Sequence, residues 1–186
     1  MKETARTRTK SLVLIALFAG LIAAGAFIKI PIPPVPITLQ SAFVIMAGLA
    51  LGPWKGAAAS LIYLALGLAG LPIFSAGGGF GYVFYPTFGY LLGFVLSAWL
   101  TGFLFQKSKK KNYLSAVLAG LAGVFAVYII GVPYFYIIKQ VYSDTQVSAY
   151  TLFIMCFLIF VPGDLIMMTA GAYLVMRLKK IKGLLP

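Results

Sequence analysis

Residues 56–106 form an uninterrupted stretch of 51 residues without a single charge, and three shorter charge-free runs accompany it at 11–28, 30–54 and 112–138. A helix needs about 20 apolar residues to cross a hydrocarbon core about 30 Å thick, so the longest run must hold two crossings and a loop. Soluble domains are roughly 25% charged, whereas this chain of 186 residues is 10% charged and 62% hydrophobic. The length is that of a single domain. The chain therefore reads as an all-α polytopic membrane protein, one unit over residues 1–186.

Gly, Pro and polar clusters mark the breaks between runs. They divide the chain into six helices at about 11–29, 39–53, 56–71, 87–106, 113–138 and 149–177. The second and third are short for a full crossing, which calls for tilt or for ends completed by adjoining loops. Cations set the orientation. With the N-terminus inside, Lys2, Arg6, Arg8, Lys10, Lys55, Lys107, Lys109, Lys110, Lys111, Arg177, Lys179, Lys180 and Lys182 are cytoplasmic, and only Lys29 and Lys139 lie outside. An even number of spans returns the C-terminus to the cytoplasm, in agreement with the charge bias.

The net charge of +12 is thus a set of short tags at helix ends that also suit anionic lipid. No basic face with interleaved aromatics points to nucleic acid. The segment ending Ala24-Gly25-Ala26 has some features of a cleavable signal peptide. Its apolar run is long enough to span and continues into Phe27-Ile28-Lys29-Ile30 without a polar break, which favours a retained helix.

The chain contains no His, and Cys156 is its one cysteine. Disulfide scaffolds, Cys/His metal sites and His-containing triads are excluded. No GxxxxGK[ST] loop occurs, so energy for any active process must come from another chain or an ion gradient. Cys156 sits in an apolar run with no activating His and reads as a spectator. One embedded carboxylate is too little for most hydrolytic schemes, and the chain does not read as an enzyme.

That carboxylate, Asp164, interrupts the otherwise uncharged stretch 145–176. An ionisable group at membrane depth is costly and marks a functional site by default. No Lys or Arg is expected at comparable depth in another span, so the cost argument favours function over a structural ion pair. Pro162-Gly163 just before it should loosen the helix and free carbonyls beside the carboxylate. A second signal is the Gly- and aromatic-rich outer loop that includes Phe74, Gly77, Gly78, Gly79, Phe80, Tyr85 and Tyr90. Its glycines suit close backbone approach to an anion and its aromatics suit an apolar ligand. It reads equally as an interfacial aromatic belt. A third is the rigid proline-rich lead Pro31 to Pro36 into Thr38-Leu39-Gln40, where Gln40 can read an amide or urea or bond a helix end. In the first helix, Ala16, Gly20 and Ala24 recur at fourfold spacing with Ala19 and Ala23 beside them. Such a pattern allows close helix approach, within the chain or to a partner.

Together these segments resemble the BioY family, the biotin-binding S components of energy-coupling-factor vitamin transporters. The likeness spans nearly the whole chain. It rests on Pro33-Pro34-Val35-Pro36-Ile37-Thr38-Leu39-Gln40, Gly52-Pro53-Trp54-Lys55-Gly56, Tyr63 through Phe74, Tyr85-Pro86-Thr87-Phe88-Gly89-Tyr90 and Pro162-Gly163-Asp164. The resemblance implies a prokaryotic cell-membrane protein that captures biotin from outside, with no cofactor and no metal. It implies as partners a membrane-embedded coupling protein and two cytoplasmic ATPases. Asp164 would then accept the urea N–H groups, with Thr38 and Gln40 near the polar end of the pocket. Phe74, Phe80, Tyr85 and Tyr90 would form apolar walls, Gly79 would allow close approach, and Tyr142 would help close the mouth. Lys29 or the glycine-loop amides would meet the biotin carboxylate. Ala16, Gly20, Ala19 and Ala23 would face the coupling protein. One departure is that the family pattern often places Lys three residues after this Asp, where Met167 stands here, which leaves the protonation state of Asp164 open. The alternatives are an S component for another vitamin and a proton-coupled carrier that uses Asp164.

Overall fold

A computed structural model describes residues 5–31, 35–142, 150, 154, 157 and 160–181. These form six α-helices: α1 (Ala5–Phe27), α2 (Gln40–Leu51), α3 (Pro53–Leu68), α4 (Phe88–Lys107), α5 (Tyr113–Tyr142) and α6 (Val161–Leu178). Helix α1 begins earlier than expected, because its polar first turns remain helical outside the apolar span. Helix α5 runs beyond the expected end near 138, through Pro133 to Tyr142. Thr7–Phe27, Phe88–Lys107 and Tyr113–Val141 are each long and apolar enough to cross a membrane.

The short α2 is the centre of the bundle. Its 12 residues rise only about 18 Å at 1.5 Å each, too little to span alone. It packs against α1, α3, α4, α5 and α6, so nearly all its side chains are buried, as expected for a helix apolar on every side. Gly52, at φ 85°, makes the sharp corner from α2 into α3, a conformation open to glycine at no steric cost. Pro53 then starts α3, where its missing N–H is harmless. At Gly48 a Cβ would stand 2.4 Å from the Ala98 carbonyl oxygen of α4, so the α2–α4 crossing depends on a bare backbone.

The proline-rich lead forms a small antiparallel pairing of β1 (Lys29–Ile30) with β2 (Ile37–Thr38), with Lys29 opposite Thr38. Residues 32–34, between the two strands in sequence, lie outside the described residues. The glycine-rich segment turns back through a Phe74–Gly77 bridge and a 3-10 helix, Phe80–Phe84. On the opposite, cytoplasmic side, Lys107, Arg177 and Lys179 lie over the rings of Phe103, Tyr173 and Phe105, 5.2, 5.2 and 5.1 Å from their centroids. These cation–π pairs anchor the ends of α4 and α6 where the charge bias places the cytoplasm.

The expected start of the last helix near 149 lies outside the described residues, as does Cys156. Within them α6 begins at Val161 with Pro162 in its first turn. Pro162 therefore stands in the first turn of this helix, where its missing N–H is harmless. Asp164 accordingly occupies the first turn, where the helix macrodipole favours a carboxylate.

Candidate ligand-binding site

A pocket opens in the outer half of the bundle. Five parts of the chain enclose it: the β2 lead with the start of α2, the glycine-rich loop, α4, α5 and the start of α6. Its apolar walls include Leu91 and Phe94 of α4, Val127 of α5 and Phe160. Tyr90 stands perpendicular to Tyr128, their ring centroids 6.3 Å apart.

Asp164 anchors one polar end. Ser41 Oγ donates to Asp164 Oδ1 at 2.8 Å, and the Tyr128 hydroxyl donates to Oδ2. Two neutral donors and the α6 N-terminus hold this carboxylate, and each oxygen keeps a second lone pair for a ligand donor. Met167 is partly buried one turn further along α6.

Gln40 is tied into a chain of its own. Its Nε2 donates to the Tyr63 hydroxyl at 2.6 Å, which donates to the Ile73 carbonyl at 3.2 Å. The Thr38 hydroxyl donates to Gln40 Oε1 at 3.3 Å. This fixes the amide between α2, α3 and the loop, leaving one N–H and one oxygen lone pair.

A third polar group lies on the loop side. Ser75 Oγ and the Tyr82 hydroxyl are 3.3 Å apart, and the Tyr82 hydroxyl and Thr87 Oγ1 are 3.1 Å apart. All three residues line the pocket.

Of the residues proposed from sequence, Asp164, Gln40, Thr38 and Tyr90 line this pocket, whereas Phe74, Gly79, Phe80 and Tyr85 do not. Phe74 turns inward, 2% exposed, because Gly67 leaves a slot on α3 where a Cβ would meet the ring at 2.1 Å. There it packs on Tyr63 and Tyr82 as a support behind the pocket. Tyr85 stacks on the far side of Tyr82 at 4.9 Å, and Phe80 faces outward, 73% exposed. The loop's glycines serve the loop itself: Gly77 N–H donates to the Phe74 carbonyl and Gly79 N–H to the Gly67 carbonyl. Tyr142 closes α5, and its side chain lies outside the described residues.

Ser41, Tyr128, Ser75, Tyr82 and Thr87 were not singled out from sequence. Tyr128 had a visible signal, as a phenol in a long apolar run needs a buried partner. The loop hydroxyls had none, since nothing in their spacing tells a pocket face from a solvent face.

The two small-residue stripes of α1 separate. Ala16, Gly20 and Ala24 are exposed, and a Cβ at Gly20 would meet nothing within 4 Å. Ala19 is buried and Ala23 partly buried against the core. Among the described residues, no three His, Cys, Asp or Glu side chains gather as a metal site would need.

The BioY family model matches residues 1–183. The chain belongs to the BioY family. Among BioY relatives, a probable biotin transporter of Lysinibacillus sphaericus is 42% identical over 173 residues, covering 93% of this chain and 88% of that protein. A biotin transporter BioY of Thermotoga maritima is 35% identical over 174 residues, covering 93% and 98%. The crystal structure of an S-component for biotin from an ECF-type ABC transporter superposes with a TM-score of 0.88 at 30% identity, covering 98% of this chain and 97% of that one.

Proposed function

We propose that this chain is the biotin-capturing S subunit of an ECF-type transporter. The observation that carries the proposal is the pocket, apolar in its walls and ending in a carboxylate that is hydrogen-bonded to hydroxyls. The chain is a multi-pass protein of the prokaryotic plasma membrane and a transporter subunit, not an enzyme. Biotin is its cargo, and no cofactor takes part. Relatives that carry biotin in their names support the ligand.

Biotin presents a urea at one end of a fused bicycle and a carboxylate at the end of a valerate tail. Asp164 accepts the urea N–H groups on the lone pairs that Ser41 and Tyr128 leave, and charge-assisted bonds of this kind are the stronger ones. The bicycle lies against Tyr90, Phe94 and Val127, while Thr38 and Gln40 hold the α2 side of the pocket. The energy source is a module of one membrane-embedded coupling protein and two cytoplasmic ATPases, which docks on the Ala16, Gly20 and Ala24 stripe.

A competition panel on the detergent-purified chain tests ligand class. Biotin is expected to bind, while thiamine, riboflavin and a biotin analogue methylated on both urea nitrogens fail to displace it. Losing N–H donors leaves the Asp164 oxygens unsatisfied, at about 1–3 kcal/mol per group. Displacement by thiamine or riboflavin would move the assignment to another vitamin.

A further inference from the structure

Two of the pocket's polar groups are of opposite character, and the one on the loop side matches the other end of the ligand. Beside Asp164 only hydrogen-bond donors are welcome. On the loop side Ser75, Tyr82 and Thr87 form a string of three hydroxyls. Two bonds among three hydroxyls use two of the three O–H protons, leaving one to donate outward. Next to this string Lys29 Nζ donates to the Ser75 carbonyl at 2.6 Å, from a residue 46 positions away. An ammonium has three donors and no acceptor, so two N–H bonds remain. The pairing of Lys29 with Thr38 fixes the Lys29 backbone at the rim, since Thr38 itself lines the pocket. Of the glycine amides in the loop, Gly77 N–H is taken by the Phe74 carbonyl and Gly79 N–H by the Gly67 carbonyl of α3.

We infer that Lys29, with the Ser75–Tyr82–Thr87 hydroxyl string, forms the carboxylate-recognition site at the pocket mouth. The inference rests on the biotin reading above and deepens it. The site takes a free carboxylate, with the ligand's long axis running from Asp164 to Lys29. It discriminates free biotin from amide-linked biotin, whose tail has neither the charge nor the second oxygen. Its contact with Ser75 also joins the β1–β2 lead to the glycine-rich loop across the mouth, so a carboxylate bound there sits where the two rims already meet.

Titration of the purified full chain with biotin and with biotinamide, in wild type and Lys29→Gln, tests the inference. Wild type is expected to prefer biotin by about tenfold or more, the worth of a hydrogen bond to a charged group. Lys29→Gln should weaken biotin by that factor and leave biotinamide within about twofold, so the preference collapses. Lys29→Arg should restore much of it, and Thr87→Val should reduce it in part. Unchanged biotinamide binding shows that the variant is folded. Equal weakening of both ligands in Lys29→Gln would overturn the inference and reduce Lys29 to a structural tie. An unchanged preference would overturn it outright. Failure of the wild type to bind either compound would contradict the biotin reading, and the carboxylate site with it.

Discussion

Asp164→Asn is expected to lower biotin affinity about 100-fold or more while leaving the fold intact. The aspartate offers two acceptor oxygens, one bonded to Ser41 and one to Tyr128. Each keeps capacity for a urea N–H. The amide loses the charge and replaces one acceptor with an NH₂ donor, which must face either a hydroxyl donor or the ligand's own N–H groups. Hydrogen bonds to a charged group are worth about 1.5–3 kcal/mol each, and losing both urea bonds, about 3 kcal/mol or more, gives the stated factor at about 1.4 kcal/mol per tenfold. The side chain is nearly isosteric and its backbone N–H still bonds the Phe160 carbonyl at 2.9 Å, so thermal stability should change little. The measurement is a titration of both proteins with biotin alongside their melting curves. Undiminished affinity would make Asp164 a structural group and remove the urea contact from the account.

Gly20→Trp is expected to abolish ATP-driven biotin uptake in cells that carry the complete transporter, with biotin affinity and melting temperature of the purified chain unchanged. The dissociation of these effects follows from where Gly20 lies. Nothing occupies the space into which its Cβ would point, so the indole has room in the isolated chain. A partner helix docked on the Ala16, Gly20 and Ala24 stripe would need close backbone approach, which the indole prevents. The neighbouring stripe supplies the contrast. Ala19 is 4% exposed, so Ala19→Trp should damage the fold itself, because overpacking a filled core costs about 1–3 kcal/mol or more. Uptake that survives Gly20→Trp would place the partner on another face.

What was legible in the sequence was what a bilayer makes expensive. Charges cannot sit in hydrocarbon without consequence, so the runs without them gave the helices, the cations gave the orientation, and the lone Asp164 stood out against an uncharged stretch. Proximity in the bundle was not legible. Ser41 and Tyr128 lie 123 and 36 positions from the carboxylate they serve, and among 11 tyrosines no periodicity marks the one that faces it. The aromatics of the glycine-rich loop were placed on the pocket wall because glycine and aromatic residues together suit a ligand. A glycine of α3 instead admits one of these rings: Gly67 receives Phe74, and Tyr82 comes forward to line the pocket with Tyr85 stacked on it. The small residues of α1 announced close packing, but only the bundle shows that one stripe is spent inside and the other left outside.

Every role assigned to the pocket residues presupposes that the pocket captures biotin. Isothermal titration of the detergent-purified wild-type chain with biotin tests it most directly. Saturable binding at one biotin per chain is expected, without ATP and without any partner. Absence of saturable heat across a micromolar to millimolar range, from protein that melts cooperatively, would contradict it.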